Sequence, residues 1–137
     1  MTDNHRIRDS FARQSMMHTL GAEITAISNG AVVITAPIRD DVKQQHDFAH
    51  AALAFAVGDS AAGYAALTML DAEHEVVTAE MKINLLAPAT GDRLVAEGRV
   101  EKAGRRLVVV AADVYAETGD ARKRIAMLQG TIIPIPV

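Results

Sequence analysis

From residue 75 onward the apolar positions fall in short runs rich in Val and Ile, each cut off by a turn signal. Runs of this kind read as strands. The pattern predicts four: residues 75–86, ended by Ala87-Pro88; 93–102, before the Ala103-Gly104-Arg105 turn; 106–117, before Thr118-Gly119-Asp120; and 122–133. An earlier pair, 22–28 and 31–36, flanks Asn29-Gly30, a two-residue hairpin signal that favours a type I′ turn. Helical spacing occurs twice. Residues 6–20 set Ile7, Phe11, Met16 and Leu20 near one stripe, which predicts a short amphipathic helix ended by Gly21. Residues 50–70 are rich in alanine and free of Pro and charge clusters, which predicts a long central helix. A helix that is apolar all round is a buried one. Its Gly58 and Gly63 each weaken it by about 1 kcal/mol relative to Ala, but small residues let a sheet approach the helix backbone closely. One long helix among antiparallel strands means α+β, with a curved sheet wrapped around that helix to bury it.

Composition narrows the class. A chain of 137 residues fits one domain over residues 1–137. Half the residues are apolar and only 4% aromatic, with no tryptophan, so the core is built from Ala, Val, Ile, Leu and Met. A net charge of -3 argues against a nucleic-acid binder, which carries a basic face. The absence of cysteine excludes disulfides and thiolate metal sites. The polar N-terminus leads into no apolar segment, so a cytoplasmic protein is expected. Residues 51–70 have the length of a bilayer span, but a charge in mid-span, here Asp59, costs about 2.5–3.5 kcal/mol on insertion scales. No membrane association is expected.

Asp59 is the most informative residue. It stands mid-helix with small or apolar neighbours for several turns on both sides. One reading gives the helix a wet face on which Asp59, Ser60 and Thr68 point outward. No Lys, Glu or Arg accompanies them to mark such a face. A carboxylate kept in apolar surroundings needs partners and is a candidate for function. Desolvation raises its pKa and suits it to act as a base. His50 stands where the helix begins, and reads as a structural hydrogen-bonding residue. The i, i+4 pair His46 and His50 lacks a third ligand at metalloprotease spacing, so no metal is expected. The N–H groups of Ala51 and Ala52 open the helix and are ready donors to an oxyanion. Gln44 and Gln45 lie in the preceding polar loop, where surface amides are commonplace. Arg105 and Arg106 occupy a turn, as exposed basic residues often do.

Together these residues form a recognisable pattern. QQHDFAHAALAFAVGDSAAGYAAL (residues 44–67) resembles the central-helix motif of the PaaI-like thioesterases, the phenylacetate-degradation branch of the hotdog superfamily. VVTAEMKINLLAPATGDRLVAEGRVEKAGRRLVVVAADVY (76–115) resembles the strands that follow it. The motif has a polar amide, a His-Gly-Gly helix start and an acid nine residues beyond the His; here the His is His50 and the acid Asp59. The resemblance implies a hotdog fold and hydrolysis of small, aryl or medium-chain acyl-CoA without metal or organic cofactor. It implies Asp59 as general base or nucleophile, Ala51 as backbone donor to the thioester oxygen, Gln44 as a holder of the carbonyl or water, and Thr78 as a group orienting the water. Arg105 and Arg106 fall where they could meet the CoA phosphates. The site implied is composite, shared across a homodimer or a dimer of dimers.

The chain departs from the family pattern at three positions. Both glycines after the His are alanine, Ala51 and Ala52, and Asp47 replaces a common glycine. If the loop needs positive φ at residue 47, Asp tolerates it better than most residues but worse than Gly. These departures keep a second function class open, a non-catalytic acyl-CoA binding or regulatory domain. A dehydratase or hydratase of the same fold fits the His-to-Asp spacing less well, and a purely structural dimer leaves Asp59 without a role.

Overall fold

The computed structural model describes residues 4–137. In chain order the elements are α1 (Asn4–Ala12), α2 (Ser15–Thr19), β1 (Glu23–Ser28), β2 (Ala31–Pro37), α3 (Ala51–Leu67), β3 (His74–Leu85), β4 (Arg93–Ala103), β5 (Val108–Thr118) and β6 (Ala121–Pro136). A 3-10 turn, Asp40–Val42, precedes α3. The six strands form one antiparallel sheet in the order β1-β2-β4-β5-β6-β3. It curves around α3, the hotdog arrangement expected from the sequence. None of the described helices is long and apolar enough to cross a membrane.

The N-terminal segment differs from expectation. Instead of one helix over 6–20 there are two, broken at Gln14, whose backbone is extended (φ -82, ψ 98). Two short i→i−3 bonds, from Arg13 N–H to Ser10 O and from Gln14 N–H to Phe11 O, close α1 before the break. The break shifts the helical phase by one residue: Met17 is buried and Met16 is 58% exposed, the reverse of a continuous stripe. The first hairpin also differs. Among its two turn residues only Gly30 has positive φ (+78), whereas a type I′ turn needs both. The turn is docked rather than free, because Gly30 N–H donates to Thr68 Oγ1 at the end of α3 (2.8 Å).

β6 runs further than the pattern suggested, through Pro134 to Pro136. β5 leaves it at Ile132, and beyond that point β6 pairs with β3 alone. Two prolines two residues apart lack N–H groups on the same side of the strand, which is tolerable where no neighbour needs them.

Contact between α3 and the sheet decides the geometry. Its buried face runs through Leu53, Ala54, Val57, Gly58, Ala61 and Ala62. A Cβ on Gly98 of β4 would overlap the backbone of Ala61 and Ala62, so only glycine permits this approach. Gly58 is matched from the other side by Leu128 of β6, whose methyl carbon lies 2.8 Å from where a Cβ would stand. Gly63 faces open space. We therefore predict opposite outcomes for one methyl. Gly98→Ala loses about 3 kcal/mol or more by overpacking against backbone, whereas Gly63→Ala gains about 0.5–1 kcal/mol from helix propensity. Chemical denaturation of the two variants checks both signs.

Candidate active site

The loop before α3 is shaped by its own polar groups. Asp47 has positive φ (69) and closes a turn in which its N–H donates to Gln44 O (3.1 Å). Lys43 pairs with Asp40 and Asp47 across the same turn (3.1 and 3.4 Å). The Gln44 side chain takes part as well: its Oε1 accepts the His46 and Phe48 N–H groups. That assignment leaves the Gln44 NH2 as the end free to meet something else.

His50 caps α3. Its Nδ1 accepts the Ala52 N–H at 2.9 Å, so the neutral ring carries its proton on Nε2. Of the two N–H groups that the sequence singled out, Ala52's is therefore taken. The Ala51 N–H has no acceptor among the described residues. Gln44, His50 and Ala51 line one cavity of about 500 Å3, with Phe48, Leu85 and Leu86.

Asp59 lies about 12 Å further along α3, eight residues at 1.5 Å each. It is half-buried, and its Oδ1 accepts a hydrogen bond from Thr78 Oγ1 at 2.8 Å. Thr78 reaches it from β3, whose register slips between Thr78 and Glu80. Such bulges re-aim a side chain. Burial pushes the Asp59 carboxyl above its ordinary range, and the Thr78 hydroxyl pulls it partly back. The two residues line a second cavity of about 260 Å3 with Ser60, Gly63, Tyr64, Glu75, Ser10 and Gln14. The wet-face reading of α3 holds in part: Asp59 and Ser60 are partly exposed and Phe55 is 37% exposed, whereas Thr68 is buried with its Oγ1 bonded to Ala65 O (2.6 Å).

One chain thus brings together Asp59 with Thr78, and separately Gln44 with His50 and Ala51. It does not join the two groups. Arg105 and Arg106 are exposed in the β4–β5 turn, line neither cavity, and have no ion-pair partner among the described residues. The sequence reading missed Ser10, Gln14 and Tyr64 beside Asp59. A Tyr five residues after the acid in an otherwise small-residue helix was the available signal.

A curved antiparallel sheet wrapped around one long helix defines a hotdog protein. The thioesterase superfamily model matches residues 46–122, more than half the chain, and the chain belongs to that superfamily as a thioester hydrolase. A solved thioesterase family protein from Silicibacter pomeroyi is 40% identical over 98% of both chains, with a TM-score of 0.95. A thioesterase from Haemophilus influenzae shares the fold at 21% identity (TM-score 0.83, covering 94% of this chain and 88% of that one). The E. coli PaaI protein of the phenylacetic acid degradation operon does so at 22% (TM-score 0.84; 93% and 89%).

Because the hydroxyl of Thr78 lowers the Asp59 pKa, Thr78→Val should raise it further, which a carbon-13 NMR titration of the carboxyl reads directly. Stability carries the same sign. The folded pKa of Asp59 lies above the unfolded value of 3.8, so charging it disfavours the native state at neutral pH. Asp59→Asn should be more stable than wild type at pH 7. That advantage should shrink as pH falls through the raised pKa toward 3.8, and denaturation at several pH values checks it.

Proposed function

We propose that the protein hydrolyses acyl-CoA thioesters at two sites, each assembled from two copies of the chain. The observation that carries this reading is the position of the two cavities along β3. This strand forms one edge of the sheet, with Val77 and Leu85 46% and 58% exposed. An exposed apolar edge strand is a template for another strand. The Asp59 cavity touches the start of β3, at Glu75, Val76 and Thr78. The Gln44 cavity touches its end, at Leu85 and Leu86. Antiparallel pairing of β3 with the same strand of a second copy, about a two-fold axis near its midpoint, sets the start of one strand beside the end of the other. Each Asp59 cavity then meets the Gln44 cavity of the partner.

In that composite site the thioester carbonyl oxygen accepts from the free Ala51 N–H and the Gln44 NH2. Water held by Thr78 and Asp59 gives a proton to the carboxylate as its oxygen attacks the carbonyl carbon. The tetrahedral oxyanion is held by the same two donors. It collapses with cleavage of the C–S bond, and the CoA sulfur leaves with the proton that Asp59 took up. In the second route the Asp59 carboxylate attacks the carbonyl carbon and the C–S bond breaks, releasing CoA as the thiolate; water then opens the mixed anhydride to the free acid and the Asp59 carboxyl, whose proton goes to the thiolate. Arg105 and Arg106 are assigned to the CoA phosphates, for which two unpaired guanidiniums in one turn are suited. The acyl group is small, aryl or medium-chain, as in the PaaI-like branch.

Asp59→Asn should lower kcat by about 10²–10⁴-fold with the fold intact, and more if Asp59 is the nucleophile. Undiminished CoA release by this variant would assign the base to another residue, and no CoA release by wild type from any acyl-CoA would leave the non-catalytic acyl-CoA binder as the reading. The shared site has its own test. Asp59→Ala and a bulky, inactive Ala51 variant, unfolded together in equal amounts and refolded, form mixed dimers in which one site collects both defects and the other neither. About a quarter of wild-type activity should return by this two-fold argument. A site within one chain would recover none.

A further inference from the structure

We infer that Lys43 and Asp47 are positioning residues for the hydrolysis: their ion pair clasps the loop before α3 and fixes the direction in which Gln44 presents its NH2 group. This rests on the composite-site reading above, in which Gln44 meets the thioester oxygen, and adds to it the groups that hold Gln44 in place.

The loop is a miniature hairpin. Lys43 and Ala49 form an antiparallel bridge, and within it the Gln44 N–H donates to Phe48 O (2.8 Å). Gln45, His46 and Asp47 are left as a three-residue loop, closed by the Asp47 N–H on Gln44 O (3.1 Å). In hairpin loops of this length the left-handed position favours glycine. Asp47 occupies that position, with φ of 69. An L-residue gives up stability to stay there, though Asp gives up less than most.

The side chain at 47 supplies what glycine lacks. Asp47 Oδ1 lies 3.4 Å from Lys43 Nζ, so the pair spans the loop from the residue just before Gln44 to the residue three after it. Asp40 Oδ1 holds the same ammonium at 3.1 Å, and the neighbouring charges Arg39 and Asp41 pair with each other (3.1 Å). Gln44 sits inside the clasp. Its Oε1 accepts the His46 and Phe48 N–H groups, which only the oxygen end of the amide can do, so the NH2 end points away from the loop. Both donors are loop amides. The direction of the NH2 therefore holds only while the loop keeps its shape, and a left-handed aspartate with an unpaired charge would favour other shapes. The aspartate at the glycine position and the lysine at the foot of the loop are two halves of one device.

The test uses whichever of acetyl-, hexanoyl- and phenylacetyl-CoA wild type hydrolyses fastest. Lys43→Met keeps the stem and removes the charge. It should lower kcat by about two- to fivefold, the scale of one partly exposed ion pair, with KM changed less. Lys43→Arg should retain most of kcat. Adding Asp47→Gly to Lys43→Met should bring kcat back, because glycine holds the left-handed position without a partner. In a Gln44→Ala background Lys43→Met should have no further effect, whereas a pair that only stabilised the fold would lower activity there as well. Amide hydrogen exchange reads the loop without turnover: the His46 and Phe48 N–H groups should exchange faster in Lys43→Met and slow again when Asp47→Gly is added. Wild-type kcat and wild-type exchange in Lys43→Met, or no recovery with Asp47→Gly, overturns the inference and leaves the hydrolase reading standing. Undiminished hydrolysis by Gln44→Ala takes Gln44 out of the site and overturns the role given to the clasp. No CoA release by wild type from any of the three thioesters removes the hydrolase reading, and this inference with it.

Discussion

The closest constraint in the molecule is a helix backbone laid directly on a strand. Gly98 of β4 meets the main chain of Ala61 and Ala62, with no side chain between them. Two consequences follow. The sheet has to curve around α3, because a helix held this near the middle strands leaves its flanks to be covered by the outer ones. The helix also cannot rotate or slide without driving its backbone into β4. Asp59, two residues before Ala61, is therefore fixed in direction by a contact that contains no functional group. An alanine-rich helix contributes little apolar area per residue, but its narrow surface makes the approach achievable and places the carboxylate with the precision of backbone packing.

That fixed direction explains why a costly carboxylate persists. Burial works against its charge, and only the Thr78 hydroxyl offsets part of the cost. A partly desolvated carboxylate with one short hydrogen bond is a stronger base than a solvated one. The bulge in β3 belongs to the same design, because it turns Thr78 toward α3 at a point where the ladder to β6 slips. On the proposed reading, stability is given up at one position to keep a proton acceptor there.

Most of the fold could be read from the sequence because it is written in local terms. Val-rich runs bounded by Gly and Pro announce the strands, and a long alanine-rich run free of proline announces α3. Tertiary contacts decided what the pattern missed. Gln14 leaves the helix to reach Tyr64, 50 residues away, which no periodicity encodes. Asn29 stays out of the left-handed region that the Asn-Gly preference favours, in a turn that Gly30 docks onto Thr68. The Asp47 loop was legible, since Asp is among the few residues other than Gly that accept positive φ. The candidate site was legible as a motif but not as geometry. His50, Ala51 and Asp59 sit at fixed spacing on one helix, yet that same helix separates the helix start from the acid by about 12 Å.

This separation makes the edge strand more than a boundary. A helix long enough to pack across β2 to β6 is too long for its first N–H groups to reach an acid in its middle. On the proposed reading, a single chain can therefore supply either the oxyanion donors or the base to one thioester. Turning the chain about an axis through β3 reverses the direction of the strand and brings donors and base to the same end. On the proposed reading, assembly and catalysis then depend on the same exposed strand, and the apolar residues that make β3 a liability in a lone copy, Val77 and Leu85, are covered by the step that completes the site.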